Sequence, residues 1–141
     1  MKKITQPRTK KRFSNPHARP KFPVISEQMK EWSAMLQGEL NSWPAITTRS
    51  MFGFLFFYRR GLVFAALPRT RGFDSPSSLV FKLPPLTPAL RKRVEQDARV
   101  GVSHKATSKG WFSFELRNES DLRDALFWVH HAYEGAGKSL R

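Results

Sequence analysis

Residues 51–67 read MFGFLFFYRRGLVFAAL, and this stretch decides the fold class. Its first eight residues predict one β-strand with apolar side chains on both faces, namely Phe52, Phe54, Phe56 and Tyr58 on one face and Met51, Leu55 and Phe57 on the other. Such a strand is expected in the interior of a sheet or under cover on both sides. Arg59-Arg60-Gly61 predicts a tight reversal, because glycine adopts a positive φ at little steric cost. Residues 62–67 then form the return strand of a hairpin.

Amphipathic helical patterns flank this hairpin in the sequence. Ser26 is expected to cap an N-terminal helix whose apolar residues recur at three- and four-residue steps. Ser120 is expected to cap a C-terminal helix, with Asp121 and Asp124 complementing the positive end of its dipole. Gly135 is expected to end that helix. Both helices therefore present an apolar stripe to a core.

The remaining segments complete a sheet. Residues 79–83 form a third strand, and Thr87-Pro88 starts a short middle helix. Residues 100–102 and 111–116 supply about two further strands. Connections of hairpin length favour antiparallel pairing. We therefore predict an α+β domain, in which N- and C-terminal helices pack on a mostly antiparallel sheet of about five strands.

The charge of the chain is concentrated at its N-terminal end. With 25 Lys and Arg against 11 Asp and Glu, the formal net charge is +14, which favours a polyanionic partner. Residues 1–25 hold eight of these cations and no acid, and their four prolines disfavour regular secondary structure. We expect residues 1–25 to be an arm that is disordered in isolation, residues 26–135 to be a single domain, and residues 136–141 to be a short basic tail.

Two interpretations of the arm stay open. It is either a solubilising tail or a segment that neutralises phosphates of DNA or RNA without reading any base. Basic side chains of the domain would help the second role if they lay on the same side of the molecule. The candidates for nucleic-acid contact are Lys2, Lys3, Arg8, Lys10, Lys11, Arg12, Arg19, Lys21, Arg69, Arg71, Arg91, Lys92, Arg93, Lys109 and Trp111.

The aromatic run raises the question of base stacking. Residues 52–57 overlap the aromatic strand of RNA-recognition motifs, but apolar side chains on both faces favour a hydrophobic central strand. Trp111 is the better stacking candidate. It is predicted to lie on the strand face opposite Phe112 and Phe114, and it follows Lys109 closely.

Other chemistries lack the residues they need. The chain has no cysteine, which excludes disulfides, cysteine-ligated metals and thiol nucleophiles. His130 and His131 point about 100° apart on a helix, so they do not form the i, i+4 pair of a metal site. Gly137-Lys138-Ser139 resembles the end of a phosphate-binding loop, but Ala132 occupies the place of its first glycine. No residue pattern supports enzymatic activity, and we predict no metal and no cofactor.

The sequence also favours a location away from membranes. The most apolar region, residues 51–67, is shorter than the ~20 residues that span a bilayer and is interrupted by Arg59 and Arg60. The arm contains no apolar stretch of the length found in secretory signals. We therefore expect a cytoplasmic protein.

The chain resembles a known family over residues 29–135. The resemblance rests on Arg49-Ser50-Met51-Phe52-Gly53, on Val63-Phe64-Ala65, on the strand at 79–83 and on the helix at 121–132. These features are similar to the N-terminal domain of the TfoX (Sxy) competence regulators. The resemblance implies an α+β domain and a role near the transcriptional regulation of DNA uptake, and it carries over no catalytic residue.

A second, smaller resemblance involves the end of the chain. Gly110-Trp111-Phe112-Ser113-Phe114 and residues 121–133 are similar to a poorly characterised bacterial group labelled luciferase-like. Our leading hypothesis is a basic module that associates with nucleic acid nonspecifically or as an accessory regulator. The alternatives are a small-molecule-binding or catalytic domain with a pocket between sheet and helices, and a scaffold for an acidic protein partner. The oligomeric state stays open.

Overall fold

A computed structural model describes residues 22–105 and 109–138, and it confirms the predicted α+β class. Within these ranges three helices and six strands follow one another along the chain. The helices are α1 (Glu27–Asn41), α2 (Pro88–Gln96) and α3 (Asp121–Lys138). The strands are β1 (Ile46–Met51), β2 (Phe54–Arg59), β3 (Leu62–Pro68), β4 (Ser78–Lys82), β5 (Val100–Val102) and β6 (Trp111–Glu115). The strands form an open sheet in the order β1-β2-β3-β4-β6-β5, and every neighbouring pair is antiparallel.

The single strand predicted across residues 51–58 is two strands joined by a tight turn. Phe52 and Gly53 both have positive φ, 58° and 88°, and Met51 pairs directly with Phe54. This turn adds the edge strand β1 to the sheet. The reversal predicted at Arg59-Arg60-Gly61 is confirmed, since residues 60 and 61 also have positive φ, 51° and 87°. Both turns are therefore two-residue hairpin connections with the backbone twist that joins antiparallel strands well.

The two faces of the sheet are packed differently. All three helices contribute to one large core, in which the sheet side chains include the fully buried Phe57, Phe81 and Phe114. Phe81 lies between Phe112 and Trp128, and both ring pairs are stacked at centroid distances of about 6 Å. The opposite face carries a smaller cluster, which none of the three helices in the described ranges covers. The sheet therefore has a helix-packed side and a helix-free side.

The C-terminal helix extends further than predicted. It continues through Gly135 to Lys138, because Gly135 serves a packing purpose and does not terminate the helix. A Cβ atom at Gly135 would lie 2.8 Å from Cδ of Pro84, so glycine permits the helix to approach the segment after β4. Ser120, the predicted N-terminal cap of this helix, makes a different hydrogen bond: its hydroxyl donates to the side-chain oxygen of Asn118.

The Phe52-Gly53 turn gives a direct test of this arrangement. We expect Gly53→Ala to lower the free energy of unfolding by about 1 to 3 kcal/mol, because alanine is strained at positive φ. The new Cβ would also lie 2.6 Å from Cγ of Arg71 and 2.8 Å from Oγ1 of Thr70. Urea unfolding measures the difference.

Gly38→Ala is the matched control. Gly38 lies in α1, and a Cβ there would meet no atom within 4 Å. Because alanine is the better helix former, this variant should gain about 0.5 to 1 kcal/mol. Equal effects of the two substitutions would contradict the strain at the turn.

Candidate nucleic-acid interface

One part of the helix-free side lies away from all three helices of the described ranges and combines aromatic with basic side chains. Strand pairing places Arg49 opposite Phe56, and Trp111 opposite Lys82. Because side chains alternate along a strand, these residues point away from the core residues beside them. We refer to the following seven residues as the open sheet face: Thr47, Arg49, Phe56, Tyr58, Lys82, Trp111 and Ser113.

The other part of the helix-free side is covered by Phe22, which the sequence analysis placed near the end of the basic arm. The ring of Phe22 packs against Phe54 and Phe73 at centroid distances of 4.9 Å and 5.3 Å. Phe54 is consequently only 2% exposed. Nη1 of Arg71 donates to the carbonyl oxygen of Phe22 at 3.0 Å. The amide of Gly72 donates to the carbonyl oxygen of Pro23 at 2.8 Å. The end of the arm is thereby held at the sheet.

This packing moves the start of the domain. The sequence interpretation began the domain at Ser26, but residues 22–25 already belong to the packed structure. Ile25 is 4% exposed, and Val24 forms an antiparallel bridge with Arg71. Two apolar side chains account for the difference, since Phe22 packs against the smaller cluster and Ile25 is buried in the large core.

The open sheet face is positively charged. Arg49 and Lys82 are exposed, and none of the seven residues is acidic. Tyr58 is half-buried, and together with Arg49 it lines a shallow depression of about 410 Å³. Nζ of Lys105 lies 5.2 Å from the ring centroid of Phe22, which adds a further cation at the covered end. The face can therefore offer both ring surfaces and cations to an anionic ligand.

Of the seven predicted contact residues that the structure describes, only Trp111 belongs to the open sheet face. The eight cations of the arm lie outside the described residues. Arg69 and Arg71 are exposed, but their guanidinium groups donate to the hydroxyl of Ser50 and to the carbonyl of Phe22. Lys109 is exposed in the turn before β6, and Trp111 is half-buried on the face opposite the core, as its alternation predicted.

The three basic residues of the middle helix lie on the helix-packed side. Arg91, Lys92 and Arg93 are exposed on α2, whose Leu90 and Val94 pack against the large core. The guanidinium of Arg93 lies 4.4 Å from the ring centroid of an aromatic residue of α3. The structure therefore does not bring these three cations together with Trp111.

Sequence reasoning did not single out Arg49 and Lys82, the two cations of the open sheet face. The signal for Lys82 was the alternation of its own strand, since the preceding Phe81 is buried in the core. Arg49 carried no such signal, because β1 was not predicted as a separate strand. Its position became visible only through its pairing with Phe56.

A second cluster of charged residues has a structural role. Arg99 contacts three carboxylates: Nε lies 2.9 Å from Oδ1 of Asp97, Nη1 lies 2.8 Å from Oδ1 of Asp121, and Nη2 lies 2.9 Å from Oδ2 of Asp124. The indole of Trp128 donates to Asp97 at 3.2 Å. These contacts connect the segment before β5 to the start of α3.

The pKa values of this cluster reflect its tight pairing. Burial acts to raise the pKa of Asp97, but hydrogen bonds from Arg99 outweigh it and lower that pKa below its usual value. Burial likewise acts to raise the pKa of Asp121. Hydrogen bonds from the amide of Arg117, from Arg99 and from the amide of Asn118 lower that pKa overall. Hydrogen bonding to Asp97 raises the pKa of Arg99. The side chains of Asp97, Asp121 and Arg99 are thus held in their ionised form at neutral pH.

Two other findings concern the function. Across residues 22–105 and 109–138, no group of three or more histidine, aspartate or glutamate side chains is arranged to hold a metal ion. None of the helices in those ranges is both long enough and apolar enough to cross a membrane.

The chain was compared with protein-family models, with curated proteins and with solved structures. None of the three comparisons found a match.

Proposed function

We propose that the protein is a nucleic-acid-associated accessory module that binds through its basic arm and its open sheet face. The observation that carries this proposal is the position of Phe22, the residue that directly follows Lys21 of the arm. Phe22 packs on the same side of the sheet as Arg49, Lys82 and Trp111. A polyanion bound by the arm would therefore meet further cations and aromatic rings.

The resemblance to the TfoX (Sxy) competence regulators adds a biological setting to this proposal. It suggests that the nucleic acid is encountered during the regulation of DNA uptake. DNA and RNA both carry the phosphates and bases that cations and aromatic rings contact, so both polymers belong in the test.

The test compares two triple variants that remove the same charge from different places. One replaces Lys10, Lys11 and Arg12 of the arm with Gln, and the other replaces Arg91, Lys92 and Arg93 of α2. Each duplex phosphate contact contributes about 0.9 to the slope of log affinity against log salt, so loss of three contacts would change it by about 2.7. We expect such a loss for the arm variant and a slope close to that of the unmodified chain for the α2 variant.

Binding of the full chain to labelled duplex DNA, single-stranded DNA and RNA across a salt series provides these slopes. Equal slope changes in the two variants would show that net charge alone drives the binding, and the arm would then have no specific role. Absence of binding by the full chain near physiological salt would overturn the proposed function.

A cavity favours small-molecule binding as the second candidate function. It has a volume of about 300 Å³ and lies between β3, the segment after β4 and α3. Phe64, Leu83, Pro84 and Ala132 make most of its wall apolar, and Lys82 stands beside it. This size is at the lower end of the range for ligand pockets. A ligand that raises the melting temperature equally in the full chain and in the arm variant would favour this class.

A further inference from the structure

Aromatic and basic side chains are paired at two places on the open sheet face. Arg49 of β1 is directly opposite Phe56 of β2, with Tyr58 two residues along on the same face. Trp111 of β6 is directly opposite Lys82 of β4. Side chains of directly opposed residues share a face, with their Cβ atoms about 5 Å apart. Each aromatic group therefore has a cation within reach.

The distance between the two places fits an extended ligand. β2 and β6 are separated by β3 and β4, so Tyr58 and Trp111 are three strand spacings apart across the sheet. With about 4.8 Å between neighbouring strands, the separation is about 14 Å. A ligand that contacts both rings must extend across the sheet, as a single nucleic-acid strand can.

The chemistry of the two places favours unpaired bases over a duplex. Aromatic side chains stack on the faces of bases, which a double helix keeps hidden by its own stacking. Arginine and lysine beside the rings can neutralise phosphates of the same strand. A duplex would use the cations alone, and it would leave Tyr58 and Trp111 without a role.

Charge decides between a nucleic acid and the arm as the occupant of this face. Residues 1–21 contain eight cations and no acid, and the seven residues of the open sheet face contain two cations and no acid. Glu115, which follows Trp111 and Ser113 on the same side of β6, accepts a hydrogen bond from the hydroxyl of Ser75. Like charges repel, so the arm is a poor complement to the face. A polyanion is attracted by both, and the attachment of the arm beside Phe22 lets the two act on one strand.

We propose that the open sheet face binds single-stranded nucleic acid, with bases stacked on Tyr58 and Trp111 and phosphates beside Arg49 and Lys82. This inference rests on the proposed function and names the ligand class and the residues that would recognise it. It also assigns the arm and the face different tasks. The arm supplies attraction for any polyanion, and the rings select unpaired bases.

The test uses the full chain, single strands of about twelve nucleotides in DNA and RNA form, and a duplex of the same length. Tyr58→Ala and Trp111→Ala should each weaken binding of the single strands about tenfold and change duplex binding by less than about twofold. Tyr58→Phe should retain the affinity, since the ring is kept. Phe127→Ala is the matched control, because Phe127 is half-buried on the helix-packed side beneath Arg93.

A second measurement guards against loss of folding in the variants. The indole N–H resonance of Trp111, assigned by its loss in Trp111→Ala, should shift when the single strand is added to the unmodified chain. Equal affinity for single strands and duplex, with no effect of either alanine variant, would overturn this inference and leave the arm's role intact. A Trp111 resonance that shifts with protein concentration alone would assign the face to a second copy. A Trp111 resonance that differs between the unmodified chain and the arm variant, and that does not shift when oligonucleotide is added, would assign the open sheet face to the arm. Either of these two results overturns the inference.

Discussion

Replacing Arg99 with methionine is expected to lower the free energy of unfolding by on the order of 3 kcal/mol, as for loss of one member of a buried ion pair. Asp97 and Asp121 have side-chain exposures of 17% and 10%, so their charges would stay largely out of water with the cation removed. The carboxylate of Asp124 would add repulsion with the other two carboxylates. Methionine keeps an apolar stem near the ring of Phe114, which the guanidinium approaches to 4.9 Å.

The control for this prediction removes the same side chain from a solvated position. Arg123 is exposed on α3, so Arg123→Met should change the free energy by less than about 0.5 kcal/mol. Arg99→Lys should fall between the two, because lysine keeps the charge and loses the planar donor geometry. Urea unfolding at neutral pH measures all three. Similar values for Arg99→Met and Arg123→Met would refute the structural role of the cluster.

The pH dependence of stability provides an independent readout of the same cluster. Unfolded aspartates take up protons near pH 3.9, whereas Asp97 and Asp121 keep their charge to lower pH in the folded protein. Their contribution is therefore fully present above about pH 4 and is lost as the pH falls toward the folded-state pKa values. Without Arg99 the part of that contribution that its hydrogen bonds supply is lost, whereas the amides of Arg117 and Asn118 still donate to Asp121. The stability difference between the unmodified chain and Arg99→Met should shrink below about pH 4.

Phe57→Ala is expected to lower the free energy of unfolding by about 3 to 5 kcal/mol, the usual cost of removing a fully buried phenylalanine. Phe57 is 0% exposed in the core on the helix-packed side, and its ring lies 6.5 Å from that of Phe64. The adjacent Phe56 has the same side chain in the same strand but points to the open sheet face, where it is half-buried. Phe56→Ala should cost about 1 kcal/mol.

This pair of variants tests the division of the sheet into two sides. Far-UV circular dichroism during urea unfolding gives both values under identical conditions. If Phe56→Ala were as damaging as Phe57→Ala, the helix-free side would be a second core and not a binding surface. A small cost at Phe56 would also support the use of alanine variants at Tyr58 and Trp111.

Local patterns predicted most of the secondary structure correctly. The hairpin at Gly61, the two flanking helices and the alternation around Trp111 depend on neighbours a few residues apart. The turn at Phe52 and Gly53 was missed, because hydrophobic alternation continues through it and hides the change in φ. That turn is stabilised by distant residues, since the carbonyl of Gly53 accepts amide hydrogen bonds from residues 69–71.

The features of the candidate site likewise divide into those that local sequence patterns predicted and those that depend on distant parts of the chain. The sequence by itself determined the α+β class, the concentration of charge in the arm and the outward direction of Trp111. Only the tertiary structure decided that Lys82 and Arg49 stand beside aromatic rings and that Arg91, Lys92 and Arg93 lie on the other side. Charge and alternation are properties of short segments, so they can be read locally. Whether side chains from different strands lie on the same side of the sheet depends on how distant strands pair. It also depends on which side of the sheet the helices cover.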